Sequence, residues 1–94
     1  MAVAIVGEIP NGNAQMDQAM MEHMNVSPSN PPAGGLARLA GPVGDNYRII
    51  SVWESEEHWE AFKRDYMQPF FQRAGREMPT FEVWPLATFF TPQT

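Results

Sequence analysis

Hydrophobic and polar positions along the chain switch between two periods, and each switch marks a predicted element. Ala2 to Glu8 is a mostly apolar run rich in β-branched residues, closed by Ile9-Pro10. Alternation is absent, which predicts a strand buried on both faces. Asn11-Gly12 is a turn signal, and Asn13 is suited to cap a helix. From Ala14 the period becomes helical. Met16, Ala19, Met20, His23 and Met24 recur on one stripe, with Asp17 and Glu22 facing away. The spacing predicts a short helix whose inner face is largely methionine.

Asn25 to Ala33 holds Pro28, Pro31 and Pro32, which forbid both a helix interior and a central strand. Gly34-Gly35 leads into a second strand, Leu36 to Ala40. The turn residues Gly41 to Asn46 then join it as a hairpin to a third, Tyr47 to Glu54. Ser55 begins a second helix. Its hydroxyl is placed to cap free amides, and Glu56 and Glu57 complement the positive end of the helix dipole. Trp59, Phe62, Tyr66 and Phe70 share one face at spacings of three and four. Pro69 predicts a kink or break, and Gly75 a stop. Phe81 to Phe90 is the last strand. Pro85 inside it argues for a sheet edge or a bulge.

The order βαββαβ predicts an α+β, ferredoxin-like domain: a four-stranded antiparallel sheet with two helices on one face. Strand three presents Tyr47, Ile49 and Trp53 to one side and Ile50 and Val52 to the other. Both sides are apolar, so both should be covered, one by helices and the other by a second subunit. Arg48 falls on the parity opposite Trp53.

Composition supports a homodimer. A chain of 94 residues makes one domain, and its 44% hydrophobic and 12% aromatic content is generous for a small one. Cysteine is absent, so neither disulfides nor a Cys/His zinc site can add stability. The net charge of −5 disfavours nucleic acid, whose binding needs a basic stripe. No apolar run approaches a membrane span, and the N-terminus lacks a basic region of signal-peptide type. A cytoplasmic location is the default expectation.

The run Gly41-Pro-Val-Gly-Asp-Asn-Tyr-Arg-Ile-Ile-Ser-Val-Trp-Glu-Ser-Glu-Glu-His-Trp59, followed by Phe62 and Pro69, resembles the antibiotic-biosynthesis monooxygenase-like family of small dimeric α+β barrel proteins, in its actinobacterial form. The likeness covers roughly residues 33 to 88. It implies the dimeric α+β barrel fold and a range of activities: quinone-forming monooxygenases without metal or flavin, haem-degrading enzymes, polyketide cyclases and isomerases, and proteins without known activity. Haem degraders of this kind use an asparagine on strand one and a distant histidine on helix two. Neither is present here, since Met67 to Ala74 has no histidine. Relatives often carry a histidine where this chain has Arg38, and a small residue where it has His58.

The residues themselves offer several candidates. His23 on the stripe of helix one is suited to a general base, or to a core-edge histidine bonded to a loop carbonyl. His58, in the first turn after Ser55 and beside Glu56, Glu57 and Glu60, is suited to a general base at a helix N-terminus, or is an exposed first-turn residue. Arg38, facing inward, could hold an enolate or phenolate oxygen; facing outward, it is an interface or edge charge. Trp53, Trp59, Phe62, Tyr66 and Phe70, opposite Met20 and Met24, could line a flat cavity for a polycyclic phenol or quinone precursor, or form plain core. No nucleotide, nucleophile-elbow or metal-ligand motif is present in the sequence.

The expectation is therefore a tailoring enzyme that needs no cofactor or metal and acts on an aromatic or polyketide-like small molecule. Oxygenation is favoured, with cyclisation or isomerisation next. A dimeric binding module without catalysis is the rival from another class.

Overall fold

A computed structural model describes residues 1–92. The chain runs through β1 (Val3–Ile9), α1 (Ala14–His23), β2 (Gly35–Val43), β3 (Asn46–Trp53), α2 (Glu56–Phe62), a π-helical turn (Lys63–Met67), α3 (Gln68–Arg73) and β4 (Phe81–Pro85). The strands pair antiparallel in the order β2-β3-β1-β4. This is the expected ferredoxin-like plan, with the second helix built in three consecutive pieces. Residues of α1, α2 and α3 meet Ile5, Ile49 and Trp53 in one core cluster, so the helices share one face of the sheet.

Local chemistry sets most boundaries. The Asn13 side chain accepts from the Met16 amide at 2.8 Å and starts α1; Ser55 Oγ accepts from the His58 amide at 3.2 Å and starts α2. The hairpin is tighter than expected. Gly41 pairs with Arg48 and Pro42 with Tyr47, so both belong to β2. Pro42 is tolerated because β2 is an edge strand. Only Gly44 and Asp45 are left between the strands, with Gly44 at φ +58. The last strand is shorter than expected. It ends at Pro85 on the other sheet edge, not at Phe90.

The inward faces of both helices differ from the simple stripes. In α1 the buried residues are Asp17 and Met20, continued by Met24 at the C-cap, whereas Ala19 and His23 are exposed. Asp17, Met20 and Met24 are spaced by three and four, so the true stripe is rotated about one residue from the expected one. In the second helix Trp59, Phe62, Met67 and Phe71 are buried, while Tyr66 is 48% exposed and Phe70 only partly covered. The cause is the π-helical turn. The Gln68 amide bonds the Lys63 carbonyl, five residues back. Pro69 has no amide to give, and its ring would clash with the carbonyl of Asp65 in a regular helix. The wider turn absorbs the proline without ending the helix, and it moves each later residue back by one on the inward face.

Among the described residues no helix covers the other sheet face. By strand parity Val6, Ala37, Leu39, Ile50, Val52 and Trp84 project there. Leu39 and Trp84 are 59% and 60% exposed.

The entry into β2 is fitted to the start of α2. Gly34 has φ +79, and its carbonyl accepts from the Glu54 amide at 2.9 Å. A Cβ on Gly34 would fall on the His58 ring. That ring is held by Ser55, whose hydroxyl lies 2.7 Å from His58 Nδ1. Gly34→Ala should therefore lose about 1–3 kcal/mol from backbone strain and the displaced imidazole together. Adding His58→Ala should restore the steric part alone. Chemical denaturation of the two single variants and the double variant measures this. A double variant no more stable than the sum of the singles would show that the ring does not occupy that space.

Candidate functional site

Methionine side chains are long and adaptable, and Met20 and Met21 of α1, with Met24 at its C-cap, pack over the sheet without filling all the space above it. A partly open apolar cavity of about 780 Å³ results. That volume lies within the range typical of small-molecule sites. Met20, Met21 and Met24 line it from α1; Ile5, Ile49, Ser51 and Trp53 from the sheet; Trp59, Phe62 and Met67 from the second helix. Val26, Pro28, Pro31 and Pro32 of the connecting loop line it as well. The prolines fix the course of this loop, so that part of the lining is comparatively stiff.

The aromatic side is a set of contacting rings. The Trp53 centroid is 5.0 Å from Phe62 and 5.8 Å from Trp59, and Phe81 meets Trp59 edge-on at 4.9 Å. These tilted and edge-on geometries suit the aromatic quadrupole. The indole N–H of Trp53 donates to Ser51 Oγ at 2.9 Å, which satisfies a donor that is otherwise buried.

Two charged side chains line the cavity, Arg38 from β2 and Glu22 from α1, and Arg38 is paired with Asp17 beside it. Nη1 and Nη2 of Arg38 donate to the two carboxylate oxygens of Asp17 at 3.0 and 2.5 Å. The side chains are 27% and 10% exposed. Arg38 is directly opposite Ser51 in the β2–β3 register and on the helix-facing parity, which settles its orientation as inward. Among the described residues no cluster of three or more His, Cys, Asp or Glu side chains is arranged to hold a metal ion.

Of the residues singled out in the sequence, Arg38, Met20, Met24, Trp53, Trp59 and Phe62 come together around this cavity. Tyr66, Phe70, His23 and His58 are not among its lining residues. Tyr66 stacks on the outer side of Phe62 at 5.3 Å. Phe70 packs on the His23 ring, also at 5.3 Å, and this pair lies outside because both stripes are rotated. His58 points to Gly34 and Ser55, with Nε2 3.9 Å from Glu54. Asp17 and Glu22, expected to face away, instead hold Arg38 and line the cavity respectively, and Ser51 and Met67, which also line it, were not singled out. Asp17 was discoverable, because it shares the three-four spacing of Met20 and Met24. Ser51 shares the parity of Trp53 and also had a signal. Met67 had none without knowledge of the π-helical turn.

SnoaB from Streptomyces nogalater, described as a cofactor-independent oxygenase, matches at a TM-score of 0.61 and 10% identity, over 97% of this chain and 98% of that one. A Chloroflexus aurantiacus protein, provisionally named an antibiotic biosynthesis monooxygenase, matches at 0.62 and 18%, over 96% and 98%. The fold is that of the antibiotic biosynthesis monooxygenase structures. MhuD from Mycobacterium tuberculosis, a heme-degrader solved with two hemes in its active site, matches at 0.56 and 17%, over 97% and 100%. No protein-family model and no curated protein matches the chain. At these identities the likeness establishes the fold alone.

The Arg38–Asp17 pair joins an edge strand to α1, so its loss should reach beyond the cavity. Asp17 is the buried partner, so Arg38→Ala, which leaves its carboxylate poorly solvated, should cost more than loss of a surface pair and more than Asp17→Ala. The double variant Asp17→Ala/Arg38→Ala should be less destabilised than the singles added together, with a coupling of about 1–3 kcal/mol. A urea-denaturation cycle reads this directly. Additive losses would mean that the pair contributes no coupling.

Proposed function

We propose that the chain is a cofactor-independent tailoring oxygenase for a polycyclic aromatic or polyketide-like molecule. The observation that carries this reading is Arg38, inward-facing and fixed by Asp17, beside a cavity of tryptophan, phenylalanine and methionine. Flat rings suit such walls, and a guanidinium suits the oxygen on which charge develops when the substrate ionises. The description of SnoaB as a cofactor-independent oxygenase supports the same reaction class.

The chemistry is then carried largely by the substrate. An anthrone-type molecule loses a proton to give a delocalised anion, with charge on the oxygen near Arg38. Dioxygen attacks the anionic carbon. The methylene becomes a carbonyl, and the second oxygen atom leaves as water with the two hydrogens removed. The apolar surroundings limit competing reactions with solvent. Haem degradation like that of MhuD is not proposed, because β1 carries no asparagine and Met67 to Ala74 no histidine.

Purified protein given anthrone should consume oxygen and form anthraquinone. Arg38→Ala should lower kcat/KM by roughly 10²-fold or more, the scale of losing one donor to an anionic transition state. His23→Ala and His58→Ala should stay within a few-fold of the parent, because neither ring lines the cavity. A histidine variant as inactive as the Arg38 variant would reverse this assignment. Accelerated tautomerisation of anthrone to anthrol without oxygen uptake would favour the cyclase or isomerase reading, which uses the same anion. Saturable binding without turnover would favour a binding module, a reading supported by the absence of histidine from the cavity lining.

We also propose that two copies pair through the helix-free sheet face. Leu39 and Trp84 are the most exposed apolar side chains on it, and paired sheets would form an α+β barrel. Trp84→Glu or Leu39→Glu should convert a dimer to a folded monomer in size-exclusion chromatography with light scattering. A parent protein that is monomeric at micromolar concentration would overturn the pairing. Among the described residues no helix is long and apolar enough to cross a membrane.

A further inference from the structure

We infer that Ser51 and Arg38 form a two-donor site for a single neutral oxygen of the ligand, a ketone or phenol oxygen rather than a carboxylate. This rests on the reading of the cavity as a small-molecule site and adds the chemistry by which that site selects.

The first support is the direction of the Trp53–Ser51 bond. An indole nitrogen can only donate, so Ser51 Oγ is the acceptor at 2.9 Å. The hydroxyl's own proton is left for another acceptor. Ser51 lines the cavity, and Trp53, buried at 3% exposure, holds the donor side of the bond in place. An acceptor in the cavity can therefore take the Ser51 proton without displacing an existing bond.

The second support is register. Arg38 and Ser51 are cross-strand partners on the helix-facing side. Directly opposed residues keep their Cβ atoms roughly 5 Å apart, close enough for both side chains to reach one oxygen. Arg38 gives two of its five N–H donors to Asp17, which leaves three, including Nε–H.

The third support sets the charge of the ligand. A free guanidinium prefers a carboxylate, bound by two parallel hydrogen bonds. Here Asp17 already occupies both terminal nitrogens in that manner. A second carboxylate would find the end-on pair of donors taken and would add a like charge beside Asp17 and Glu22, the latter also lining the cavity. A ketone or phenol oxygen meets neither obstacle. It needs only the remaining donors of Arg38 and the Ser51 hydroxyl. Asp17 is therefore a positioning residue: it fixes the guanidinium and offsets its charge.

Fluorene, 9-fluorenone and fluorene-9-carboxylate test this, because they share one ring system and differ at one carbon. Binding is read by tryptophan fluorescence in a Trp84→Phe background, and by the infrared carbonyl stretch of bound 9-fluorenone. The parent should bind 9-fluorenone roughly tenfold more tightly than fluorene, with the carboxylate weakest. The carbonyl stretch should be lower than in hydrocarbon solvent. Ser51→Ala should lose roughly three- to tenfold for 9-fluorenone, leave fluorene unchanged and raise the carbonyl stretch. Ser51→Thr keeps the hydroxyl and should restore both. Asp17→Asn frees the fork and should shift preference towards the carboxylate.

Equal affinity of the parent for fluorene and 9-fluorenone, or an unshifted carbonyl stretch, would overturn the two-donor site and leave the aromatic cavity standing. Both measurements use the parent and hold even if Ser51→Ala does not fold. Failure of all three probes to bind would overturn the cavity reading and this inference with it.

Discussion

Pro69 has no amide proton, and the second helix is rebuilt around that deficit. A regular helix would press the proline ring against the Asp65 carbonyl and leave the backbone ladder one donor short. The five-residue step from the Gln68 amide to the Lys63 carbonyl removes the conflict and keeps the helix continuous to Arg73. Its consequence is rotational. Trp59 and Phe62 face the sheet before the wide turn, and Met67 and Phe71 after it. Without it the inward positions would fall to Tyr66 and Phe70. A phenol hydroxyl would then enter the apolar interior and require a partner. With it, Tyr66 stays at the surface and a thioether takes the interior place. The polar groups that line the cavity on the sheet side, Ser51 and Arg38, therefore stand against apolar side chains from the second helix.

The strand order and the helix starts were legible because their causes are local. Asn13 and Ser55 cap their own helices, and Pro85 ends its own strand. Each effect spans a few residues, and the chemistry of the named residue is sufficient. The hairpin was less legible because Gly41 and Pro42 suggest a turn by composition. The edge position of β2 keeps them in the strand, and a single residue does not reveal an edge. Helix phase was the least legible. Counting by 3.6 residues assumes a uniform helix, and one π-helical turn breaks the count for everything after it. In α1 the error had another origin. A carboxylate was placed outside by its polarity, although Asp17 shares the spacing of Met20 and Met24. Its partner is 21 residues away on an edge strand, so only the tertiary fold makes its burial acceptable.

A chain of this size has little apolar surface to spare, yet much of its interior borders a cavity. Two features make that tolerable. The aromatic rings form contacts among themselves at centroid distances near 5–6 Å, so this side does not depend on an occupant for its packing. The Arg38–Asp17 pair ties α1 to the edge strand across the space that a larger core would fill. Partly buried ion pairs contribute modestly to net stability, because desolvation offsets much of the attraction. Their value here is geometric. The pair fixes α1 to β2 and holds a charged group at the cavity.

The position of the two histidines constrains the chemistry further. With neither ring among the lining residues, Glu22 supplies a carboxylate at the cavity, and proton removal in the proposed reaction also depends on the acidity of the substrate. An apolar cavity opposes ionisation, since it withdraws water from the anion. The penalty is largest for a small anion with localised charge and falls as charge spreads over a larger framework. Arg38 favours the anion, but Asp17 cancels much of its long-range field. What remains is short-range hydrogen bonding at one oxygen. Such a site gives little help to an ordinary phenol. It suits a fused-ring ketone or phenol whose anion is stabilised by its own aromaticity, with charge on one oxygen and reactivity at a distant carbon. The oxygen is held at the polar wall, and the carbon lies among tryptophan, phenylalanine and methionine side chains, where dioxygen, itself apolar, partitions readily.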